Sequence, residues 1–258
     1  MFENQLLWRV QNALAQVEVD REVRVLFAVE SGSRAWGFAS RDSDYDVRFL
    51  YVHQRDWYLS VENRRDVIEL PLSDELDVSG WELRKALRLL RKSNPPLLEW
   101  LKSPIVYRYT TEFVNAFNAL ATEFYSPKRC FKHYLHMAFG NWRDYLRGRE
   151  QVSLKKYLYV FRPLLASRWI ERHLGQVPML FSELVDNVLE EADVRAALDE
   201  LVARKQAGVE VALAPPVEVL SRFIEAELTR LDALNAPDDS VADVEELDRF
   251  FRKYALAA

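Results

Sequence analysis

The 258-residue sequence predicts an α+β protein, in which a small mixed β-sheet with flanking helices is followed by an all-helical C-terminal domain. Short runs rich in β-branched residues, which are typical of buried strands, lie within the first 80 residues. From residue 111 onward, apolar residues recur every three or four positions, which is the helical period. Strands early and helices late are typical of the α+β class. We therefore expect one domain over residues 1–105 and a helical domain over residues 106–258.

The first domain should begin with an amphipathic helix over residues 3–18, where apolar residues have helical spacing. The run VRVLFAVE at 23–30 predicts a buried strand that ends in a tight turn. A second strand is expected over residues 44–52, a third within 61–71, and a fourth at Leu76–Val78. These strands would form the sheet.

The pattern becomes helical after the fourth strand. Ser79 and Glu82 match the Ser-x-x-Glu capping box, which predicts a helix beginning there. Residues 92–94, with the sequence Lys-Ser-Asn, should end this helix, and Pro95 should begin another short one.

Six further segments carry apolar residues at helical spacing. They cover residues 111–125, 127–147, 153–174, 182–207, 216–234 and 242–256. Ser126 and Ser153 are the predicted N-caps of the second and third of these helices. A polar stretch at 236–240 should connect the last helix to the body of the protein.

Composition limits the cellular location. The chain has a single cysteine, Cys130, so no internal disulfide can form and a reducing compartment is favoured. The first 17 residues lack the basic region and the continuous apolar core of a signal peptide. No apolar run approaches the roughly 20 residues that a membrane-spanning helix needs. We therefore expect a cytoplasmic protein without a membrane partner.

Two alternate aspartates begin the second strand. Asp44 and Asp46 are two residues apart, and in an extended chain such residues point to the same face. Two adjacent carboxylates repel each other unless a cation lies between them, and hard divalent ions favour oxygen ligands. The pair therefore predicts a Mg²⁺ or Mn²⁺ site. Asp42, Asp44 and Asp46 could also begin a calcium-binding EF-hand loop. That loop needs Gly at its sixth position and Glu at its twelfth, and counting from Asp42 these positions are Val47 and His53, so it is excluded.

A Gly-Ser pair follows the first strand directly. Gly32 lets backbone N–H groups approach an anionic ligand, and the Ser33 hydroxyl adds a donor, so phosphate beside the metal is implied. A hydrophobic strand, Gly-Ser, ten residues and then Asp-x-Asp resembles the signature of the DNA polymerase β-type nucleotidyltransferase superfamily. The stretches GSRAWGFASRDSDYDVRFLYV and DVSGWELRKALRLLRKSNPPLLEWLKSPIVY resemble its branch of predicted nucleotidyltransferases found beside RNA ligases. The resemblance covers roughly residues 23–175.

This resemblance implies a reaction. A nucleoside monophosphate would move from an NTP to an acceptor hydroxyl on an RNA end, a protein or a small molecule, with release of pyrophosphate. Asp44 and Asp46 would bridge two Mg²⁺ ions, while Gly32 and Ser33 bind phosphate. Arg34 and Arg48 flank the site, and they would either bind phosphate or neutralise the acidic cluster.

The superfamily also implies a third carboxylate on a later, neighbouring strand, where it binds metal and accepts a proton. Asp77 is the favoured candidate because Leu76 and Val78 flank it as in a half-buried strand. The competing candidates are Glu69, Asp74 and Glu75.

A basic segment lies in the predicted helical domain. Residues 126–173 contain eleven Lys or Arg against three acidic residues, although the whole chain carries a net charge of −5. Lys155, Lys156 and Arg162 are candidates to contact the triphosphate, because cations at the start of a helix suggest an anion nearby. The remaining basic residues would either bind an RNA acceptor or be solvated helix faces. They include Lys128, Arg129, Lys132, Arg143 and Arg147.

An alternative function belongs to another class. The same fold would serve a catalytically inactive nucleotide-sensing or RNA-binding module. An intact set of three aspartates favours the enzyme, since a binding protein gains nothing from the repulsion between them. His133 and His136 are discounted as a metal site, because no Cys or third His accompanies them.

Overall fold

A computed structural model describes residues 2–72, 75–208, 213–234 and 243–256. The chain divides into two compact units. We call the first the sheet unit, and it comprises residues 1–35, 44–125 and 240–258. The second, the helical unit, comprises residues 36–43 and 126–239. Residues 106–125 and the last helix are therefore grouped with the sheet, whereas the predicted domain boundary at residue 105 assigned them to the helical domain.

The described part of the sheet unit contains five strands in the order β3-β4-β2-β1-β5. Their bounds are Val23–Glu30 (β1), Tyr45–His53 (β2), Val67–Glu69 (β3), Leu76–Glu82 (β4) and Val106–Tyr109 (β5). Strands β2 and β4 are parallel, and the other neighbouring pairs are antiparallel. The predicted mixed sheet is thereby confirmed.

Helices surround this sheet. Their bounds are Phe2–Arg21 (α1), Gly32–Ala35 (α2), Arg55–Tyr58 (α3), Leu83–Arg91 (α4), Pro95–Trp100 (α5), Thr111–Glu123 (α6) and, at the C-terminal end, Val244–Ala255. Helix α1 packs Val10, Leu14 and Val17 into the core that the sheet forms. The C-terminal helix packs against α6, with the Phe250 ring 5.3 Å from the Phe117 ring.

A glycine permits the parallel pairing on which the site depends. Gly80 of β4 lies opposite Phe49 of β2. A Cβ atom on Gly80 would lie 2.2 Å from the Phe49 ring, so any larger residue would displace the ring or separate the strands. The small residue therefore holds β2 and β4 in register.

The helical unit is built around one buried helix. Its helices are Pro127–Tyr145 (α7), Lys155–Glu171 (α8), Phe181–Val188 (α9), Ala192–Gln206 (α10) and Glu218–Asp232 (α11), which makes the C-terminal helix of the sheet unit α12. Thirteen of the 17 residues of α8 are buried. No helix in the described ranges has the length and apolarity to cross a membrane. The cytoplasmic location stays a prediction.

Several local predictions are wrong. Strand β5 was not predicted. Ser79 does not cap a helix, because β4 continues through it and the Glu82 side chain caps α4 by accepting from the Lys85 N–H. Helix α8 begins at Lys155 without a side-chain cap from Ser153.

Two further differences concern the second half of the chain. The helix predicted over residues 182–207 is two helices, because Leu189 is extended and ends α9. The predicted linker at 236–240 lies outside the described residues. The cap at Ser126 and the helix start at Pro95 are confirmed.

Candidate functional site

Two predicted site residues meet at the start of the parallel strand pair. Asp46 of β2 and Asp77 of β4 are direct register partners, so their side chains lie side by side. Arg48 binds both of them, because its Nη2 donates to Asp46 Oδ1 at 2.9 Å and to Asp77 Oδ2 at 2.7 Å. Its Nη1 also donates to the Asp77 carbonyl at 3.1 Å. Two carboxylates from different strands therefore share one cation.

Asp44 adds a third negative charge close to this pair. It precedes β2, and its side chain is exposed. Its carbonyl accepts a hydrogen bond from Nε of Arg34 at 3.1 Å, and the Arg34 guanidinium lies 3.7 Å from the centre of the Tyr45 ring. The predicted residues Arg34 and Asp44 are thus brought together beside Asp46.

The surroundings of Asp46 disfavour its ionised form. Burial raises the pKa of Asp46, and the charge of Arg48 opposes the rise. The charges of Asp77 and Asp44 raise the pKa further, while Arg34 lowers it. The net direction is upward, because burial and the two neighbouring carboxylates together outweigh the two arginines.

Gly32 lies against the same carboxylate. Its φ is +57°, and a Cβ atom there would lie 2.0 Å from Asp46 Oδ2. The preceding residue, Ser31, donates its backbone N–H to the Asp46 carbonyl at 2.8 Å. Ser33 is buried in the short helix α2. The turn therefore needs glycine for two reasons, the left-handed backbone and the close approach to Asp46.

Glu30, the last residue of β1, is a site residue that the sequence did not reveal. It is fully buried, and its Oε1 accepts the backbone N–H of Asp46 at 2.7 Å. Its Oε2 accepts the hydroxyl of Tyr107 in β5. Burial raises the pKa of Glu30 to about 7, against the lowering effect of the hydrogen bonds from Tyr107 and the Asp46 N–H. Glu30 therefore fixes the backbone that carries Asp46.

The competing third carboxylates are placed differently. Glu69 pairs with Arg65 in an exposed ion pair. Glu75 contributes its backbone, since its carbonyl accepts the Tyr45 N–H at 2.7 Å. Asp74 lies outside the described residues. Among the three described candidates, Glu69, Glu75 and Asp77, the carboxylate of Asp77 is the one that shares Arg48 with Asp46.

The oxygen ligands of this site suit a hard divalent ion. However, the described residues contain no group of three or more His, Cys, Asp or Glu side chains that is already arranged to hold a metal ion. Asp46 and Asp77 supply carboxylate oxygens, which are the ligands that Mg²⁺ and Mn²⁺ favour. Their side chains are 27% and 42% exposed, so an ion would have access to them. Arg48 now balances part of their charge.

The predicted lysines lie in the helical unit, at the start of α8. Nζ of Lys156 lies 3.8 Å from the centre of the Tyr145 ring, a cation–π contact with the end of α7. Lys155 is exposed and precedes it. Arg162 does not fit its predicted contact with triphosphate, because its side chain is buried and its guanidinium lies over the Trp36 ring.

Comparisons with known proteins give a family match and a similar bacterial protein. The model of the RNA repair pathway DNA polymerase beta family (RlaP) matches residues 8–253. The protein YcgL of Bacillus subtilis (strain 168) is 49% identical over 223 residues, which cover 86% of this chain and 85% of YcgL.

A search of solved structures found a nucleotidyltransferase-like protein from Exiguobacterium sibiricum 255-15. The match covers 96% of this chain and 78% of the other, with 15% identity and a TM-score of 0.32. A score this low carries no structural argument.

Proposed function

The chain belongs to the RNA repair pathway DNA polymerase beta family, and on that premise we propose that it is a metal-dependent nucleotidyltransferase. It would transfer a nucleoside monophosphate from an NTP to an acceptor hydroxyl and release pyrophosphate. The family description favours an RNA end as the acceptor over a protein or a small molecule. The observation that carries the proposal is the pairing of Asp46 with Asp77 across β2 and β4, with one arginine shared between them.

Asp44, Asp46 and Asp77 would hold Mg²⁺ or Mn²⁺. When bound, the divalent ions would neutralise triphosphate charge and lower the pKa of the acceptor hydroxyl. Metal binding would require Arg48 to release the two carboxylates. Burial is the largest cause of the raised pKa of Asp46 and the charges of Asp77 and Asp44 add to it, so a bound cation would oppose the rise. The raised pKa therefore supports a site that gains from an added cation.

The chain's other groups would bind and orient the nucleotide. Gly32, which has no side chain, leaves backbone N–H groups open to phosphate oxygens, and Ser33 and Arg34 would add donors. The acceptor oxygen would bond to the α-phosphorus as the bond to pyrophosphate breaks. Asp77 would take the hydroxyl proton on a carboxylate oxygen. Lys155 and Lys156 would bind the triphosphate. The helical domain would close the nucleotide cleft.

A turnover assay tests the proposal. Purified protein is incubated with each labelled NTP, Mg²⁺ or Mn²⁺, and an RNA that ends in either a free hydroxyl or a phosphate. We expect metal-dependent labelling of the hydroxyl end and equimolar pyrophosphate. Asp46→Asn should abolish both products, whereas Asp199→Asn, a matched change at an exposed aspartate of α10 in the helical unit, should leave them unchanged. Labelling that persists in Asp46→Asn would exclude this site.

Asp77 can be separated from the other two aspartates. Asp77→Ala should lose turnover and still bind the metal–NTP complex, because Asp44 and Asp46 remain. Calorimetric titration with metal and a non-hydrolysable NTP, together with the turnover assay, measures both properties. Normal turnover in Asp77→Ala would move the proton-accepting role to another residue, such as Asp74.

A second function is favoured by the ion pairs of Arg48. If Arg48 never releases Asp46 and Asp77, the chain would be a catalytically inactive nucleotide-sensing or RNA-binding module. The two functions differ in one result, because a sensor binds NTP without producing pyrophosphate under any metal condition.

A further inference from the structure

The helical unit contains a groove of about 570 Å³ between α7 and α11. This volume lies in the range of sites for small organic ligands, and a nucleotide fits within it. Both walls belong to the same compact unit, and neither contributes to the aspartate site. Its lining combines aromatic, basic and acidic side chains. Those that matter for the argument are Phe139, Trp142, Arg143 and Arg147 on one wall and Glu225 and Leu228 on the other.

The apolar part of the groove offers a surface for a flat ring. Phe139 is 37% exposed, although α7 buries most of its other large apolar residues. Trp142 and Leu228 are buried beneath the groove surface and form its floor. Nucleobases stack on aromatic side chains of this kind irrespective of sequence.

The polar part of the groove carries positive charge near the C-terminal end of α7. Arg143 lies in the last turn of this helix, and Arg147 lies two residues after its end at Tyr145. Arg143 also pairs with its neighbour Asp144, whereas no described carboxylate pairs with Arg147. These arginines belong to the segment 126–173, which holds eleven basic and three acidic residues. An aromatic surface beside a basic one matches a base joined to its backbone phosphates.

We propose that this groove binds one nucleotide of a single-stranded RNA, with the base on Phe139 and the flanking phosphates on Arg143 and Arg147. Glu225 would accept a hydrogen bond from a base N–H group. The inference deepens the proposed function, since it rests on an RNA acceptor and assigns that strand a binding site. The site lies in the helical unit, so its occupation can be measured without catalysis.

The test measures RNA binding in EDTA and without NTP. Fluorescence anisotropy follows a labelled single-stranded RNA of about 12 nucleotides. Phe139→Ala should weaken RNA binding about 5-fold or more, because one stacked base contributes at least about 1 kcal/mol. The salt dependence of binding should not change, because no phosphate contact is lost. Arg147→Gln should reduce the slope of log affinity against log salt by about 0.7, the loss of one phosphate contact.

Two matched variants serve as controls. Trp8→Ala removes an aromatic side chain that is 65% exposed in the sheet unit. Arg204→Gln removes a 42% exposed arginine of α10, which lies outside the basic segment and does not line the groove. Both should bind RNA as the wild type does. Thermal unfolding of each variant verifies that it is folded.

The outcomes separate this inference from the proposed reaction. The groove assignment would be overturned if Phe139→Ala and Arg147→Gln both bound RNA like the wild type. It would also be overturned if the control variants lost as much RNA affinity as these two. Competition by AMP as effective as that by RNA would overturn it too, since the groove would then be a mononucleotide site. Asp46→Asn should bind RNA normally in this assay. The RNA-binding result can therefore be interpreted even if the protein shows no nucleotidyl transfer.

Discussion

Two arginines each hold a pair of carboxylates, one in each compact unit, and they balance charge differently. In the helical unit, Arg168 donates to Glu227 at 2.5 Å and to Glu191 at 2.8 Å, and Arg168 and Glu227 are both buried. A second arginine, Arg230, also binds Glu227, at 2.7 Å. In the sheet unit, Arg48 makes ion pairs to both Asp46 and Asp77.

The two clusters therefore shift acid pKa values in opposite directions. Burial would raise the pKa of Glu227, but the hydrogen bonds from Arg230 and Arg168 outweigh it and lower the pKa to about 2. Burial raises the pKa of Asp46, and Arg48 does not reverse the shift. A cluster with enough cations stabilises the fold, whereas a cluster with too few gains from binding another cation.

The largest expected effect on stability comes from removing Arg168, and it should exceed the effect of removing Arg48. Arg168→Met leaves the buried Glu227 with one fewer partner and should lower the free energy of unfolding by about 3–5 kcal/mol. Arg48→Met affects carboxylates that remain partly exposed, so the loss should be about 1 kcal/mol or less. Urea unfolding of both variants measures the difference. Equal losses would contradict the comparison.

Acid should destabilise the helical cluster through Glu227. Its folded pKa of about 2 is below the ordinary value of 4.5, so its contribution is complete above about pH 4.5 and is lost as pH falls toward 2. The shift corresponds to about 3 kcal/mol. Glu227→Gln should flatten this part of the stability profile. If Glu227→Gln loses stability between pH 4.5 and 2 as the wild type does, other groups cause the acid destabilisation.

Glu30 should produce a pH dependence of the opposite sign. Its folded pKa of about 7 is above the ordinary 4.5, so stability should fall as pH rises from 4.5 to 7. The slope should be at most about 1.4 kcal/mol per pH unit. Glu30→Gln should remove this slope and, by loosening the Asp46 backbone, weaken metal binding. A slope that persists in the variant would contradict the assignment.

The smallest stability effect is expected at Asp46 itself. Asp46→Asn removes a charge that Asp44 and Asp77 repel, and it keeps the shape of the side chain. The melting temperature should stay constant or rise by the equivalent of about 1 kcal/mol or less. Differential scanning calorimetry at pH 7 measures it. A clear fall would show that Arg48 compensates Asp46 completely.

Local sequence patterns predicted the parts of this account that depend on local geometry. The strands β1, β2 and β4, the Gly32 turn and the pairing of Asp44 with Asp46 follow from alternation and spacing within one segment. The DNA polymerase β-type resemblance was confirmed by the family match. Asp77 was selected on local grounds, and its register with Asp46 supports that choice without testing its role.

What the sequence did not reveal depends on distant contacts. In the sequence, Glu30 is only the last residue of a predicted strand. Its role in the site depends on the hydrogen bond that it accepts from Tyr107, 77 residues away. That partner lies in β5, a strand of four residues on the sheet edge with no buried alternation to reveal it. Arg48 was predicted to flank the site, but its bridge to Asp77 requires the parallel pairing of β2 with β4.

Metal binding by the aspartate site is the central claim, and calorimetric titration with Mn²⁺ tests it most directly. The comparison uses wild type, Asp46→Asn and Asp144→Asn, in which the altered aspartate pairs with Arg143 in the helical unit. We predict that the wild type and Asp144→Asn bind Mn²⁺ alike and that Asp46→Asn loses affinity by at least about tenfold. Equal binding by all three proteins, or no binding by the wild type, would contradict the account.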